Sequence, residues 1–368
     1  MKKVKWISNV PSPYRMDFFN KLGKYVDLTV VFEAETVSSL NNTWFQRKRV
    51  ENFTAIFLKK GKIEEKKINF RIIKQISSKV DYLVFTNYSY LTEMLGIIYA
   101  KLRKIPYVLE IDGGIVQSSE NEWKFKLKKF LISGASLYLS TSKQSDAFLM
   151  HYGADIKRIK RYHFSSFDVD SIEVIDDKNK CLIKRELGVN ETKMILSVGQ
   201  FIYRKGFDWM IESLHKIDKN IGIYIIGGKP TKEYLSLKEK YKMDNLHFID
   251  FLGEEKIFEW YKAADLFVFP TRFDIWGLVV NEAMSKGIPV ITTNQCVAGT
   301  ELIKNGYNGY LCDVEDTEDL FNKVEHFFSK NNLDVEKMRL NVLNVIKHYT
   351  ISQMVKDHLE VFGITREG

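Results

Sequence analysis

The feature that most constrains the fold of this chain is an alternation of short apolar runs with segments of helical pattern, which occurs twice along the sequence. Near-continuous apolar strands separated by helices indicate parallel sheets covered on both faces. The strands predicted in the front half are Val4–Ser8, Leu28–Phe32, Tyr82–Thr86, Tyr107–Ile111 and Leu137–Ser140. Those predicted in the rear half are Met194–Val198, Ile221–Ile226, Leu246–Phe251, Leu266–Phe269 and Pro289–Thr292. Two such blocks predict an α/β protein with two doubly wound domains.

The boundary between the two blocks is expected near Tyr162–Ile172, where a probable strand gives way to a charged, weakly patterned stretch. We therefore predict Rossmann-like domains at residues 1–165 and 166–349, facing each other across a deep cleft, and a final helical segment at 350–368. A chain of 368 residues is long enough for two cores. Because ligands of doubly wound sheets bind beyond the carboxyl ends of the strands, the cleft is the expected functional site.

Charge is distributed unevenly between the two blocks. Residues 1–165 contain 29 Lys and Arg against 15 Asp and Glu, whereas residues 166–368 contain 26 against 32. A basic front half predicts an anionic partner, either nucleic acid or an anionic lipid surface. The sequence has no helix-turn-helix, RNP or zinc-finger motif, so we expect no nucleic-acid partner.

The segment 121–133 bears on the choice of an anionic partner. On a helix, Trp123, Leu127, Phe130 and Leu131 share one face and four lysines occupy the other. Such a helix can lie on an anionic membrane, or it can be an ordinary surface helix whose apolar stripe packs on the sheet. Peripheral contact with an anionic membrane through the basic front domain is the prediction, with the second alternative left open.

Cysteine, histidine and terminal patterns favour a reducing compartment and no metal. Cys181, Cys296 and Cys312 are widely spaced and form no CxxC pair, and the seven histidines show no HxH or HxxxH spacing. The N-terminus lacks the apolar run of a signal peptide, and no run approaches the ~20 residues of a membrane span. We expect a cytoplasmic protein that does not cross a membrane. Asp168-Val169-Asp170 matches a metal-binding DxD pattern, but in a predicted hinge we expect no metal there.

The strongest chemical signal runs from Phe269 to Met284 in the rear half. A strand ends at Pro270, a loop carries Asp274, and Gly277 opens a helix that displays Glu282 in its first two turns. Backbone N–H groups at a helix start bind anions and suit a diphosphate. Two carboxylates at this spacing can accept hydrogen bonds from sugar and ribose hydroxyls.

A second signal follows the predicted strand Met194–Val198. Gly199 ends the strand, a loop follows, and Arg204 and Lys205 precede a helix. Adjacent cations at a strand–loop–helix junction are well placed to neutralise a diphosphate leaving group.

These two stretches together resemble the retaining glycosyltransferases of family 4, the group 1 glycosyl transferases, which have the GT-B fold. The family motif Glu-x7-Glu corresponds here to Asp274-x7-Glu282, and its Arg/Lys-Lys-Gly corresponds to Arg204-Lys205-Gly206. By the resemblance, the catalytic residues are Arg204, Lys205, Asp274, Glu282 and Asp112. The donor-binding residues it implies are Gly199, Gly227, Gly253, Trp276, Gly277 and Leu278.

The chain departs from the family pattern in two places. Asp274 stands where the family has Glu, which shortens its reach by one methylene and alters which sugar hydroxyl it can hold. Asp112 takes the place of a His that many members carry, so it can accept a hydrogen bond but not donate one when ionised. Asp112 lines the active site in this interpretation; a plain turn before Gly113 is the alternative.

Two further segments of the chain carry expectations from the same resemblance. Pro13, Tyr14 and Arg15 are either part of an N-terminal loop that faces the cleft or part of a rigid strand-to-helix turn. The helix in 350–368 is expected to pack back on the front domain.

The resemblance implies transfer of a sugar from a nucleotide diphosphate to a hydroxyl, with retention and without metal or cofactor. Arg204, Lys205 and the helix start at Gly277 and Leu278 would stabilise the leaving diphosphate. UDP is favoured over GDP, and the expected acceptor is a bacterial surface glycan or its lipid-linked precursor at the inner membrane face. The alternatives are a nucleotide-sugar epimerase or a phosphorylase on the same fold, or a non-catalytic nucleotide-sugar-binding scaffold.

Overall fold

The computed structural model describes residues 1–36, 49–63, 67–77, 79–117 and 119–364, without the side chain of Glu254. The chain forms two compact units. The front unit runs from Met1 to Phe167 and resumes at Thr350, and the rear unit is Asp168–Tyr349. The final segment therefore belongs to the front unit, where its helix packs against the first helix of the chain.

The front unit is built around a parallel sheet of strand order β3-β2-β1-β4-β5-β6-β7. Its strands are β1 (Lys3–Ser8), β2 (Asp27–Phe32), β3 (Thr54–Phe57), β4 (Tyr82–Phe85), β5 (Val108–Glu110), β6 (Leu137–Ser140) and β7 (Ile159–Arg161). Its helices are α1 (Pro13–Leu22), α2 (Arg71–Ile76), α3 (Leu91–Leu102), α4 (Glu122–Ile132), α5 (Lys143–His151) and, from the end of the chain, α14 (Ile351–Val361).

The rear unit repeats this architecture with the strand order β10-β9-β8-β11-β12-β13, again parallel. Its strands are β8 (Lys193–Val198), β9 (Ile221–Ile226), β10 (Leu246–Ile249), β11 (Leu266–Phe269), β12 (Val290–Thr293) and β13 (Gly309–Cys312). Its helices are α6 (Asp177–Glu186), α7 (Phe207–Leu214), α8 (Lys232–Tyr241), α9 (Glu254–Ala263), α10 (Leu278–Ser285), α11 (Val297–Leu302), α12 (Thr317–Phe328) and α13 (Asn332–Ile346). The prediction of two doubly wound α/β domains is confirmed.

Most of the strands that the apolar pattern identified are buried on both faces; the exception is the edge strand β10, in which only Leu246 is buried. All six residues of β9 and all four of β11 are buried, because helices cover both sides of a parallel sheet. The pattern missed β3, β7 and β13, which lie at sheet edges. β3 and β7 are short, and none of their residues is fully buried.

The apolar stripe of helix α4 does not pack on the sheet as a whole, which was one of the two alternatives for this segment. Leu131 and the neighbouring Ile132 are buried, but Trp123 is 80% exposed, Phe130 50% and Leu127 45%. The stripe therefore divides, with the C-terminal end of the helix in the core and the other three side chains in solvent. No helix in the described ranges combines the length and apolarity required to span a bilayer.

Candidate active site

The residues of the two sequence signals meet at the carboxyl ends of the central strands of the rear sheet, the side that is called the site edge below. β8 pairs with β11, and the strand order changes direction at this pair, which is where doubly wound sheets bind ligands. The loop after β8 carries Arg204 and Lys205, and the loop after β11 carries Asp274. The two loops are joined by their backbones, since the amide of Arg272 donates to the carbonyl of Arg204 at 2.8 Å.

Arg204, Lys205 and Asp274 form one ion cluster. Nη1 of Arg204 lies 2.8 Å from Oδ2 of Asp274, and Nζ of Lys205 lies 2.7 Å from the same oxygen. Nη1 of Arg204 also donates to the carbonyl of Phe273 at 3.0 Å. Two cations share a single carboxylate oxygen, so the cluster carries a net positive charge that suits a second anion.

Asp274 is buried and stays ionised. Burial acts to raise its pKa, but the charges of Lys205 and Arg204 outweigh burial and lower the pKa below its ordinary value. Its Oδ2 is engaged by the two cations, and the prediction from the resemblance that this carboxylate holds a sugar hydroxyl stays a prediction.

Gly277 begins helix α10 three residues after Asp274. Its φ is +101°, a left-handed conformation that favours glycine, and a Cβ there would lie 2.8 Å from Sγ of Cys296. The glycine therefore lets the chain turn into the helix beside the buried thiol. The backbone N–H groups that open α10, including that of Leu278, give the site edge a partial positive charge.

Glu282 lies on α10, and its side chain is half-buried. Its Oε2 accepts a hydrogen bond of 3.0 Å from the buried hydroxyl of Tyr261 on α9. Burial and the neighbouring carboxylate raise the pKa of Tyr261 well above its ordinary value, which keeps the hydroxyl a donor to Glu282. Sequence reasoning did not identify Tyr261, because a tyrosine in an amphipathic helix has no distinguishing signal.

The indole of Trp276 lies in the core of the rear unit, and the prediction that Trp276 takes part in donor binding stays a prediction. It is 2% exposed, and its Nε1 donates to Oδ1 of Asn281 at 2.9 Å. Its carbonyl accepts from the amide of Ala298. The indole thus fixes the start of α10. Leu278, the first residue of that helix, is half-buried.

The predicted glycine turns lie at the site edge. Gly199 directly follows β8 and Gly227 directly follows β9, and a Cβ on Gly227 would lie 1.7 Å from the carbonyl oxygen of Gly199. The two turns thus approach more closely than any side chain allows. Gly253 precedes α9, in open space.

Arg272 is a contributor to the site edge that sequence reasoning missed. Its guanidinium makes two hydrogen bonds of 2.8 Å to the carboxylate of Asp208 on α7 and stacks 3.8 Å from the ring centre of Tyr203. It thereby ties the loop after β11 to the loop after β8. An arginine beside a strand end is a weak signal, because its partner lies far away in the sequence.

In the front unit, the structure places Asp112 two residues after the end of β5 and Pro13–Arg15 in the first turn of α1. These three residues are therefore helical, which corrects the expectation of a loop and supports the rigid-turn alternative. Nη1 of Arg15 lies 2.8 Å from Oε1 of Glu110, and its Nη2 is ion-paired with Oδ1 of Asp112. Tyr14 Oη lies 3.5 Å from Oδ2 of Asp112.

The first aspartate of the DxD pattern makes a local capping contact. Asp168 caps a 3-10 turn at Val169–Ser171 by accepting from the amide of Val169 at 2.9 Å. Within the described part of the chain, no three or more His, Cys, Asp or Glu side chains are grouped to hold a metal ion.

Comparison with known proteins finds similarity to one family in the rear unit. Residues 180–341 match the model of the glycosyl transferases group 1 family. Over 48% of this chain, the lipopolysaccharide glucosyltransferase WaaG of Escherichia coli is 27% identical, over 46% of its own length. The lipopolysaccharide core biosynthesis mannosyltransferase LpsB of Rhizobium meliloti is 31% identical over 48% of this chain and 50% of its own length. The chain thus spans about half the length of the curated relatives it matches.

Solved structures resemble the chain over nearly its whole length. The crystal structure of Anabaena Alr3699/HepE in complex with UDP has a TM-score of 0.79 at 14% identity, covering 98% of this chain and 99% of that one. The crystal structure of WaaG has a TM-score of 0.69 at 16% identity, covering 98% and 99%. At these identities the likeness establishes the GT-B fold alone. Residues 180–341 are thus similar to the glycosyl transferases group 1 family, and the chain has the GT-B fold.

Proposed function

We propose that this protein is a retaining hexosyltransferase that moves a sugar from a nucleotide diphosphate to a hydroxyl of a glycan or lipid-linked glycan. The observation that carries the proposal is the cluster of Arg204, Lys205 and Asp274 beside the start of α10. Two cations on one carboxylate, next to a helix N-terminus, are an arrangement suited to a diphosphate.

The proposed chemistry is departure of a nucleoside diphosphate assisted by positive charge. As the bond between the anomeric carbon and the phosphate oxygen breaks, negative charge develops on the phosphate, and Arg204, Lys205 and the amides of Gly277 and Leu278 stabilise it. The acceptor oxygen attacks the anomeric carbon from the same face, and its proton passes to the departing phosphate oxygen. Glu282 holds ribose hydroxyls, and Asp274 orients the cations. No metal or cofactor is required in this proposal, because the protein itself supplies the charge that neutralises the leaving group.

Donor and acceptor are proposed from the relatives. HepE is described in complex with UDP-glucose, which supports UDP over GDP as the nucleotide. WaaG, LpsB and the O-antigen biosynthesis glycosyltransferase WclY of E. coli act on lipopolysaccharide or O-antigen by their names. We therefore propose an acceptor in bacterial surface polysaccharide biosynthesis, in the cytoplasm.

A calorimetric titration with UDP and GDP, in the presence and absence of EDTA, tests the donor site. We expect chelator-insensitive binding of UDP that is lost in Arg204→Ala/Glu282→Ala. Exposed Lys216, at the opposite end of the rear sheet, provides a control variant, Lys216→Met, that should bind UDP as the wild type does. A folded wild type that binds neither nucleotide would refute the donor site and favour a scaffold.

Product analysis separates the enzymatic alternatives. With a UDP-sugar and a glycan acceptor, a transferase releases UDP and extends the acceptor with the anomeric configuration retained. An epimerase converts the UDP-sugar without an acceptor, and a phosphorylase needs inorganic phosphate. Either of the latter outcomes would replace the transferase proposal.

We further propose that α4 contacts an anionic membrane surface. Its solvent-facing stripe of Trp123, Leu127 and Phe130 is flanked by the exposed Lys124 and Lys129. An apolar stripe bordered by cations matches the interface between acyl chains and anionic headgroups. Each lysine near such a surface contributes about 1 kcal/mol.

The same surface continues onto the end of α3. Leu102 is exposed there, and Lys101 donates to the carbonyl of Phe130 while its Nζ lies 4.5 Å from the Phe130 ring centre. The apolar and basic groups of two helices are therefore contiguous, as a membrane-facing surface requires.

Vesicle co-sedimentation tests this surface. We expect the wild type to bind vesicles of three parts phosphatidylcholine to one part phosphatidylglycerol, and Trp123→Ser/Phe130→Ser to lose most of that binding. Leu333→Ser removes an equally exposed apolar side chain from the rear unit and should leave binding unchanged. Equal binding of wild type and Trp123→Ser/Phe130→Ser, or equal binding to neutral vesicles, would contradict the proposal.

A further inference from the structure

The front unit contains a network of largely buried polar groups, Glu110, Arg15 and Asp112, which is called the polar network below. Arg15, in the first turn of α1, is buried and lies between two carboxylates, Glu110 at the end of β5 and Asp112 two residues later. Its Nη1 binds Oε1 of Glu110 at 2.8 Å, and its Nη2 binds Oδ1 of Asp112. One guanidinium thus holds both carboxylates through different nitrogens.

Glu110 is the fully buried member of the polar network. Its Oε2 accepts from Nε1 of Trp6 on β1 at 3.1 Å, and its Oε1 lies 3.5 Å from Nε2 of His358 on α14. Burial acts to raise the pKa of Glu110, but Arg15 and His358 outweigh it and bring the pKa to about 2. A permanently ionised Glu110 already neutralises Arg15, so the second carboxylate is not needed to balance the charge.

Asp112 is the member of the polar network that solvent reaches. Its side chain is 26% exposed, whereas the Glu110 side chain is fully buried. Oη of Tyr162 lies 3.5 Å from Oδ1, the oxygen that Arg15 holds, and donates to the carbonyl of Ile111 at 3.1 Å. Oδ1 therefore faces the interior contacts, and the partly exposed carboxylate keeps Oδ2 for another partner besides Tyr14.

We infer that Arg15 is a positioning residue that holds Asp112 by Oδ1 in one orientation, so that Oδ2 accepts from a substrate hydroxyl. The inference rests on the proposed function and on the sequence-based prediction that Asp112 is one of its catalytic residues. A planar guanidinium can bridge two carboxylates in a fixed geometry, whereas a lysine ammonium is a point charge on a flexible stem.

Infrared titration of Asp112 tests the inference without any need for turnover. The band of the protonated carboxyl is isolated by subtracting the spectrum of Asp112→Asn, in the wild type and in each variant background. The charged and titratable groups facing Asp112 are Arg15, Glu110, Tyr14 and Tyr162, and His358 faces Glu110. Arg15→Gln removes a cation and should raise the titration midpoint by one pH unit or more. Glu110→Gln removes an anion and should lower it.

Opposite shifts of the Asp112 titration midpoint are expected if Arg15 and Glu110 act on Asp112 through their charges. A purely structural role of Arg15 and Glu110 would not shift the midpoint in opposite directions in the two variants. Midpoints that stay within 0.3 pH unit, or move in the same direction, in variants that melt cooperatively would overturn the inference. Arg103→Gln changes an exposed arginine at the end of α3 and should leave the midpoint in place. Should Arg15→Gln fail to fold, Arg15→Lys retains the cation and should leave the midpoint near the wild-type value.

A kinetic measurement addresses the role in catalysis. With UDP-glucose as the probe, Arg15→Lys should lower kcat for UDP release at least tenfold and leave KM within twofold, because the cluster at Arg204 and Lys205 is unchanged. A wild type that releases no UDP from any UDP-sugar would count against the proposed function, whereas the infrared result would still decide whether Arg15 controls Asp112. Unchanged kcat in Arg15→Lys would refute the positioning role.

Discussion

Replacing Lys205 with methionine keeps the length of the side chain and removes its charge. In the structure Nζ lies 2.7 Å from Oδ2 of Asp274 and 4.7 Å from the ring centre of Phe269, so the methionine side chain can retain the apolar contact. Asp274 keeps Arg204 at 2.8 Å. Because one charge-assisted partner remains, we expect the loss of folding free energy to be limited to about 1–3 kcal/mol.

The effect on donor binding and turnover is larger than the effect on folding. A hydrogen bond to a charged group contributes about 1.5–3 kcal/mol, so the dissociation constant for UDP should rise by about tenfold or more. Charge on the leaving diphosphate increases in the transition state, and loss of one such donor lowers the rate by about 100-fold to 1,000-fold. The rate should therefore fall further than the affinity.

Three measurements on the same preparation check this reasoning: calorimetry with UDP, UDP release from UDP-glucose, and thermal melting. Lys216→Met is the matched control, since it makes the same chemical change at an exposed site away from the cluster. A Lys205→Met protein that melts cooperatively, binds UDP within twofold of the wild type and releases UDP within threefold of the wild-type rate would refute the role assigned to the cluster.

Three further predictions concern the loop and helix after β11. Gly277→Ala forces a non-glycine residue to φ +101° and sets its Cβ 2.8 Å from Sγ of Cys296, so we expect a loss of at least about 1–2 kcal/mol, seen as a lower melting temperature; an unchanged melt would contradict the strain. Trp276→Phe leaves the buried amide of Asn281 without its 2.9 Å hydrogen bond, so stability should fall by about 1–3 kcal/mol while UDP affinity stays within twofold. A large loss of UDP affinity in a folded Trp276→Phe would instead restore the indole as a donor contact. Although burial opposes it, pairing with the two cations lowers the pKa of Asp274, so the charged carboxylate stabilises the fold above about pH 4 and this contribution is lost as the pH falls through the folded-state value. The difference in melting temperature between wild type and Asp274→Asn should accordingly narrow as the pH falls from 5 to 3, and a difference that is constant over this range would show that the ion pair does not stabilise the fold.

The positions of the candidate site residues in the rear unit could be predicted from sequence because each motif consists of residues close together in the chain. Gly277 precedes the helix that carries Glu282, and Arg204 and Lys205 are adjacent, so a strand–loop–helix pattern is enough to place each of them at a strand end. The rule that ligands bind at the carboxyl ends of doubly wound strands then brings the two loops to one edge. The sequence could not show that Asp274 engages the cations, because that contact joins residues about seventy positions apart.

In the front unit, tertiary structure changed the meaning of individual residues. Arg15 was expected in a loop or a rigid turn, and the structure makes it the buried partner of Glu110 and Asp112. A charged residue in an amphipathic helix is normally exposed, so only the fold could show that it is buried. The same holds for Trp123, which was grouped with a core-facing stripe as one alternative and is largely exposed.

The sequence by itself determined the fold class, the strands covered on both faces, the family motifs and the positions of the loops that carry them. These features depend on periodicity and on neighbouring residues, which the linear chain records directly. Only the tertiary structure decided which carboxylate pairs with which cation, which helix faces solvent, and that Trp276 belongs to the core. Such contacts join residues distant in sequence, and their burial and charge balance exist only once the elements have packed.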